Sequence, residues 1–447
     1  MARARTKQGF TGLFGLGRQL RRLISSGELT VIDGRGCRHV FGDAADGDRV
    51  TIRLHECSLP LKLLLNPSLG AGEAYMDGRL TIEQGDIRQF LRMVMSNIAA
   101  LDERAVEKLR SRLARLPLLR GRNEKRGARA NVAHHYDLSG ELYRMFLDRD
   151  RQYSCAYFPT GEETLEEAQE AKKRHLAAKL LLRPGDTVLD IGSGWGGLAL
   201  ELAKTENVSV RGITLSTEQI AEARKRTIEE SLERRVSFDL TDYRDVAAKY
   251  DRIVSVGMFE HVGTAHYDEF FRTIARALQP GGVAVVHSIG RRSPPGGADP
   301  WISKYIFPGG YVPALSEVLP AIERSGLWVT DIEILRLHYA ETLRGWYERF
   351  QEYRDEARAL YDERFCRMWE FYLAACEMLF RQGDLMVFQV QLAHEPDDVP
   401  LSRDYITDYE RAHALRRTAP VHDKADAATQ PSRRTTKKPS PVEVAAA

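Results

Sequence analysis

The stretch DTVLDIGSGWGG, Asp186 to Gly197, constrains what this chain can fold into more than any other. Thr187 to Leu189 and Ile191 are apolar or β-branched and read as a buried strand, with Asp190 near its end. Gly192, Gly194 and Gly196 follow as a turn, with Ser193 and Trp195 between them, and the run LALELAKT from Leu198 has helical composition. Strand, glycine turn and helix make the first unit of a doubly wound sheet, in which ligands settle beyond the carboxyl ends of the strands. Glycines without Cβ atoms let a ligand approach the backbone closely and make φ > 0 available. A turn with no ligand is the bland alternative, but glycine this dense costs backbone entropy that a purely structural turn does not require.

Two ligand readings share the spacing. Gly192, Gly194 and Gly197 fit G-x-G-x-x-G, the dinucleotide fingerprint, which alone is weak. A nicotinamide-binding fold places an acid about 20 residues on to hold a ribose hydroxyl. The second strand, VSVRGITL from Val208 to Leu215, has no carboxylate in it or just after it before Glu218; Thr214, Ser216 and Gln219 stand there instead. Asp190 opens a D-x-G-x-G-x-G run of the form found in S-adenosylmethionine (AdoMet) methyltransferases, and that reading ranks ahead of an oxidoreductase.

Further strands are expected at Val236–Leu240, Arg252–Gly257 and Gly282–Ile289, with helices at Gly197–Lys204, Thr217–Glu233 and His266–Leu278. This alternation predicts a doubly wound, mostly parallel α/β sheet with crossover helices. Leu327–Leu335 and Leu385–Leu392 add two late strands around long helices between about Glu341 and Phe380, which makes seven strands. A helix over Glu162–Leu182 precedes the sheet. The first hundred or so residues read as a small α+β domain: a helix within Gly9–Gly27, strands at Leu29–Val31, His39–Phe41 and Val50–Leu54, and a helix over Gly85–Ala100. The predicted organisation is an N-terminal lipid-positioning domain over 1–118, a basic linker over 119–130, a catalytic domain over 131–395, an extension over 396–417 and a disordered tail over 418–447.

Charge is informative only by its placement, because the net charge is +2. Met1 to Arg22 carries six basic residues and no acid, and Leu101 to Ala130 carries ten basic against four acidic. Such regions fit an anionic surface, lipid or nucleic acid, or simply solvated helix faces. The five cysteines form no CxxC pair and no metal spacing, so a reducing compartment and no metal are expected. No stretch approaches the ~18 apolar residues of a membrane span.

The motifs together resemble the cyclopropane-fatty-acyl-phospholipid synthase family, relatives of the mycolic acid cyclopropane synthases. The resemblance is carried by HYD at His135–Asp137, YSCAYF at Tyr153–Phe158, VLDIGSGWGG at Val188–Gly197 and GITLSTEQ at Gly212–Gln219. DYRD at Asp242–Asp245, DRIVSVGMFEHVG at Asp251–Gly263, HSIG at His287–Gly290 and HYAETLRGWYERF at His338–Phe350 complete it. PLKLLLNPSLGAGEAYMDGRL, Pro60 to Leu80, is similar to the N-terminal domain of the phospholipid-acting members. The chain departs from the family at Ser139, Gly140 and Glu141, where GND is usual.

The resemblance implies transfer of a methylene from AdoMet to the cis double bond of an acyl chain in a membrane phospholipid. It further implies a bound bicarbonate as the base that closes the ring. By motif, Cys155, Glu260, His287 and Tyr339 would hold the bicarbonate, with the Ile289 N–H adding a contact and Cys376 ranked below them. AdoMet would meet Tyr153, Ser154, Asp190, Gly192, Ser193, Gly194, Trp195, Gly196, Thr214, Leu215, Ser216, Gln219, Asp242, Tyr243 and Arg244. Each has a plain alternative: a buried Cys155 is usually a small apolar residue, and His287 within VAVVHSI equally fits a satisfied core histidine. His134 and His135 read as structural residues of a cofactor lid. The expected partners are a phospholipid bilayer with unsaturated acyl chains and an anionic surface, and a second copy in a homodimer; nucleic acid is not expected. The expected location is cytoplasmic, at the inner face of the cell membrane. A methyl branch in place of a ring is the competing product, and a non-catalytic binder has no need of both cofactor and base-site residues.

Overall fold

The computed structural model describes residues 12–43, 47–100 and 139–418. In the small domain the elements are α1 (Leu16–Leu23), β1 (Gly27–Ile32), β2 (Arg38–Asp43), β3 (Arg49–Leu54), α2 (Leu59–Leu65), α3 (Pro67–Met76), β4 (Leu80–Gln84) and α4 (Ile87–Ala99). The strands lie in the order β2-β1-β3-β4, with only the β1–β3 pair parallel. Asp86 caps α4: its carboxylate accepts the Gln89 N–H, and the Gln89 side chain returns the bond to the Asp86 backbone. The Pro60–Leu80 stretch is two helices and the first residue of a strand, broken at Asn66 before Pro67.

The second part begins with α5 (Gly140–Phe146) and α6 (Leu165–Leu180). It continues β5 (Thr187–Ile191), α7 (Gly197–Glu206), β6 (Ser209–Thr214), α8 (Thr217–Glu229), β7 (Val236–Leu240), β8 (Tyr250–Val256), α9 (Tyr267–Ala277) and β9 (Leu278–Arg291). After it come α10 (Pro300–Tyr305), α11 (Leu315–Ser325), β10 (Trp328–Leu335), α12 (His338–Glu352), α13 (Arg354–Leu360), α14 (Glu363–Gln382), β11 (Leu385–Ala393) and α15 (Asp404–Thr418). The seven strands run β10-β11-β9-β8-β5-β6-β7. From β9 to β7 every pair is parallel, while β11 pairs antiparallel with both neighbours. The order reverses between β5 and β8, and a crevice opens there beyond the carboxyl ends.

The expected strands β5 and β7 have the observed bounds, and the others differ by a few residues at their ends. α15 is the element that the extension hides. Its residues show no apolar stripe, and it docks through polar contacts: Gln391 Nε2–H donates to the Tyr405 hydroxyl at 2.9 Å, and Glu410 bonds His175 at 2.8 Å. The basic Leu101–Ala130 segment, the linker, His134, His135 and the tail beyond Thr418 lie outside the described residues.

The two parts share one apolar core. Trp301 of α10 is buried, points its Nε1–H at Met76 Sδ (3.3 Å) and sets its ring edge-on to Phe371, centroids 4.7 Å apart. A Cβ on Gly72 would come within 2.3 Å of that indole, so only glycine lets α3 lie against it. Arg88 of α4 donates two hydrogen bonds to Glu377 of α14, at 2.7 and 2.9 Å, and this carboxylate is almost wholly buried. The fork geometry satisfies both oxygens, the condition under which a buried ion pair holds two elements in register.

Candidate active site

The glycine turn after β5 is tied down from below. The N–H groups of Gly192 and Ser193 both donate to the Ile213 carbonyl of β6, at 2.9 and 3.0 Å. Gly192 and Gly194 sit at φ +86° and +53°, the left-handed region where glycine is free of strain. Ser154, Asp190, Gly192, Ser193, Gly194 and Trp195 line a cavity over this turn. Thr214, Leu215 and Gln219 wall it beyond β6, Asp242, Tyr243 and Arg244 beyond β7, and Tyr153 closes the far side. Gly196 and Ser216 stand outside this lining. A Cβ on Gly196 would meet Phe238 at 2.6 Å, so that glycine serves packing, and the Ser216 hydroxyl caps α8 by accepting the Gln219 N–H.

The walls are braced by their own hydrogen bonds. Thr214 Oγ1–H donates to Gln219 Oε1 at 3.0 Å, and the Arg244 guanidinium grips both oxygens of Asp242 at 2.8 and 2.7 Å. The Tyr153 and Tyr372 hydroxyls share a 2.9 Å hydrogen bond, and the Tyr153 ring stacks on Trp346 at 5.1 Å. Asp190 is buried, and its Oδ2 has no hydrogen-bond partner; burial lifts its carboxyl to about 7, against the pull of Lys172. A Cβ on Gly194 would find no atom of the described residues within 4 Å beyond its own chain neighbours, so the space beside it belongs to the cavity. A buried carboxyl with one oxygen unpartnered among the described residues and an open glycine cradle fit AdoMet, a ligand with polar groups at both ends.

Cys155, Glu260, His287 and Tyr339 are not among the residues that line this cavity, although Cys155 and Glu260 are chain neighbours of the lining residues Ser154 and His261. Cys155 follows Ser154 and is fully buried, its S–H donating to the Ala156 carbonyl at 3.2 Å; burial pushes the thiol up and keeps it neutral. Glu260 Oε1 accepts the Ile289 N–H at 2.6 Å, while Oε2 is buried without a hydrogen-bond partner among the described residues; burial lifts the carboxyl to about 7, against the pull of the Ile289 N–H and the Ser288 hydroxyl. Tyr339 packs its ring on Phe380 at 4.8 Å. Burial holds its phenol well above its ordinary range, and Tyr153, Cys155, Glu260 and Cys376 lie close enough to act on it. Cys376 is a thiol raised by burial to about 12.

His287 is held by the sheet itself. Gln389 Nε2–H of the neighbouring strand donates to its Nδ1 at 3.1 Å. Burial keeps the imidazole neutral, helped by the charges of Lys172, Lys179 and His175. The Ile289 N–H, expected to reach a bound anion, is directed at Glu260.

Sequence reasoning missed Gln152, Thr241, Met258, His261, Pro308 and Gly309, all of which line the cavity. Met258 and His261 sit inside the motif that supplied Glu260, so a reading of every residue of that turn would have found them. His261 is neutral, with burial lowering it to about 4. Pro308 and Gly309 come from the loop after α10, which carries no periodic signal. Ser139, where the chain departs from its relatives, caps α5 by accepting the Glu141 N–H at 3.1 Å.

A seven-stranded sheet of this order, with a glycine cradle at the carboxyl end of β5, defines an AdoMet-dependent methyltransferase. The family described as mycolic acid cyclopropane synthetase matches residues 123–390. The chain is 41% identical over 331 residues to the cyclopropane-fatty-acyl-phospholipid synthase of Escherichia coli K12, covering 74% of this chain and 84% of that one. It is 38% identical over 375 residues to a probable fatty acid methyltransferase of Pseudomonas putida, covering 81% and 92% respectively. The solved cyclopropane synthase MmaA2 of Mycobacterium tuberculosis superposes with a TM-score of 0.57 at 37% identity, over 59% of this chain and 98% of that one. The chain belongs to the mycolic acid cyclopropane synthetase family.

Proposed function

We propose that the protein adds a methylene from AdoMet across the cis double bond of an unsaturated acyl chain in a membrane phospholipid, closing a cyclopropane ring, with bicarbonate bound beside Glu260 as the base. The carrying observation is the buried Glu260 carboxyl: one oxygen holds the Ile289 N–H and the other has no hydrogen-bond partner among the described residues. An orphan acceptor within electrostatic reach of the neutral Tyr339 phenol, which is itself within reach of the neutral Cys155 thiol, fits a small protonated oxyanion that offers an O–H to the carboxylate and lone pairs to the donors.

AdoMet, when bound, supplies an electrophilic sulfonium methyl group. An alkene is a weak nucleophile, so the residues of the cavity act chiefly by orientation. The glycine turn lets the cofactor lie against the backbone, Asp242 and Arg244 brace one wall, and Gln219 and Thr214 fix another. Addition to the alkene leaves a carbocation on the acyl chain, and a strong side-chain nucleophile beside it would trap it. Cys155 is held as a thiol and Tyr339 as a phenol, so neither competes, and the faces of Tyr339 and Tyr153 favour positive charge. Bicarbonate would supply the proton acceptor for ring closure, its O–H held by Glu260 Oε2 and its position sensed by Tyr339, Cys155 and His287.

The small domain is proposed to present the lipid, with the chain at the cytoplasmic face of an anionic membrane and working as a homodimer. Support comes from the relative in E. coli, named for a phospholipid substrate, which is matched over most of its length. Among the described residues no helix is long and apolar enough to cross a membrane. A second reading, a methyl-branched product, is favoured by the names of other relatives, among them the tuberculostearic acid methyltransferase UfaA1 of M. tuberculosis, 38% identical over 340 residues. Gas chromatography with mass spectrometry of lipids from an expressing host separates the two. Cyclopropane acyl chains are expected; methyl branches alone would overturn the proposal.

A further inference from the structure

The wall of the cavity formed by Gln152 and Ser154 is held from behind by one face of α6. Gln169 Nε2–H donates to the backbone carbonyls of Gln152 and Ser154, at 3.2 and 3.0 Å. Three residues on, Lys172 reaches the same two residues through their side chains: Nζ donates to Gln152 Oε1 at 2.6 Å and to Ser154 Oγ at 2.9 Å. Lys172 is fully buried, and these two bonds are to neutral groups, with no carboxylate among its hydrogen-bond partners in the described residues. A buried ammonium with no directly bonded anion is expensive, even with carboxylates nearby. Such a charge persists where its position has a use.

We propose that Lys172 is a positioning residue for the AdoMet site, acting by fixing the Ser154 hydroxyl and the Gln152 amide in the cavity wall. Its place between the wall and the buried acids adds a second effect. Asp148 and Asp150 from the loop after α5, Asp190 of β5, Cys155, His287 of β9 and Lys173 of α6 itself all lie within electrostatic reach of it. Burial lowers the ammonium to about 8, so it is charged at neutral pH and loses its proton just above it. Neutral lysine keeps a lone pair and two hydrogens, which weakens the grip on two acceptors at once and removes the positive charge that favours ionised Asp190.

This inference rests on the reading of the cavity as the AdoMet site, which the Gly194→Val variant described below tests independently. The experiment is calorimetric titration of AdoMet into wild type and Lys172→Met at several pH values, with melting curves confirming the fold. Losing charge-assisted hydrogen bonds should weaken AdoMet by about ten- to a hundred-fold at neutral pH. Wild-type affinity should fall between about pH 7 and pH 9, and that alkaline limb should be missing in Lys172→Met. Ser154→Ala should lose part of the same affinity, and the double variant should cost less than the sum of the two, because both act on one contact. A folded Lys172→Met with unchanged or tighter AdoMet binding, an alkaline limb that survives in it, or strictly additive losses would overturn the proposal. Should Lys172→Met fail to fold, the wild-type profile decides: affinity that is flat across that pH range refutes it.

Discussion

Glu260 Oε1 accepts the Ile289 backbone N–H at 2.6 Å, joining the turn after β8 to the end of β9 and leaving Oε2 as a buried oxygen without a hydrogen-bond partner among the described residues. The bond fixes the carboxyl, and in the proposed mechanism its second oxygen holds the O–H of bicarbonate. Glu260→Gln keeps the shape but turns one acceptor into a donor, so bicarbonate should bind wrongly. Methyl transfer can survive, whereas ring closure needs the base. Cyclopropane product should fall by about 10²-fold or more, with AdoMet affinity nearly unchanged, and wild-type activity should drop in bicarbonate-depleted buffer and return on its addition. Full product from Glu260→Gln, together with indifference to bicarbonate, would refute the mechanism.

Gly194 tests the cradle. Its φ of +53° strains a β-branched residue, and a valine side chain would project into the cavity, where no atom of the described residues beyond its own chain neighbours lies within 4 Å of the Cβ. Gly194→Val should therefore abolish AdoMet binding while the melting curve still shows a folded protein. Calorimetry giving wild-type affinity in the folded variant would sink the assignment of this cavity.

Membrane docking is testable through salt. Arg18, Arg21 and Arg22 of α1 are exposed, while Leu20 and Leu23 of the same helix pack on the core. The hypothesis is that this arm and the basic Leu101–Ala130 segment dock on anionic bilayers. Each basic residue near such a surface contributes about 1 kcal/mol, lost as salt rises. Vesicle sedimentation should show binding that falls with salt and with removal of Met1–Arg22. Equal binding to neutral and anionic vesicles at every salt concentration would count against it.

α15 is fastened by a histidine. Both ring nitrogens of His175 meet carboxylates, Glu333 of β10 at 2.7 Å and Glu410 of α15 at 2.8 Å, with Lys179 also on Glu333. Burial opposes the imidazolium, but the two carboxylates outweigh it and hold its proton affinity above the ordinary value. A raised histidine stabilises fully below its unfolded value, about 6.5, and loses that contribution as pH climbs through the folded value. Hydrogen-exchange protection of residues 404–413 should accordingly be higher at about pH 6 than at about pH 9, and His175→Gln should flatten the difference. An identical pH dependence in both proteins would rule the latch out.

Much of the sheet and the glycine cradle was legible in the chain itself. β5 and β7 keep their expected bounds, because a buried parallel strand is a short apolar run and a glycine at positive φ leaves its mark locally. The cavity lining after β5, β6 and β7 follows from the same logic, since ligand-facing residues of this fold stand just past the strands that carry them. Tertiary structure decided what depends on residues far apart in the chain. That Glu260 meets Ile289, that His287 turns to Gln389, and that Lys172 reaches across 18 positions to Ser154 are matters of packing, invisible to any periodicity. α15 escaped because its sequence has no apolar stripe: polar bonds to other elements hold it, together with the isolated contacts of Ile406 and Tyr409. Local pattern determines which backbone a segment prefers; only the packed core determines which side chains lose their water, and with it their ordinary charge.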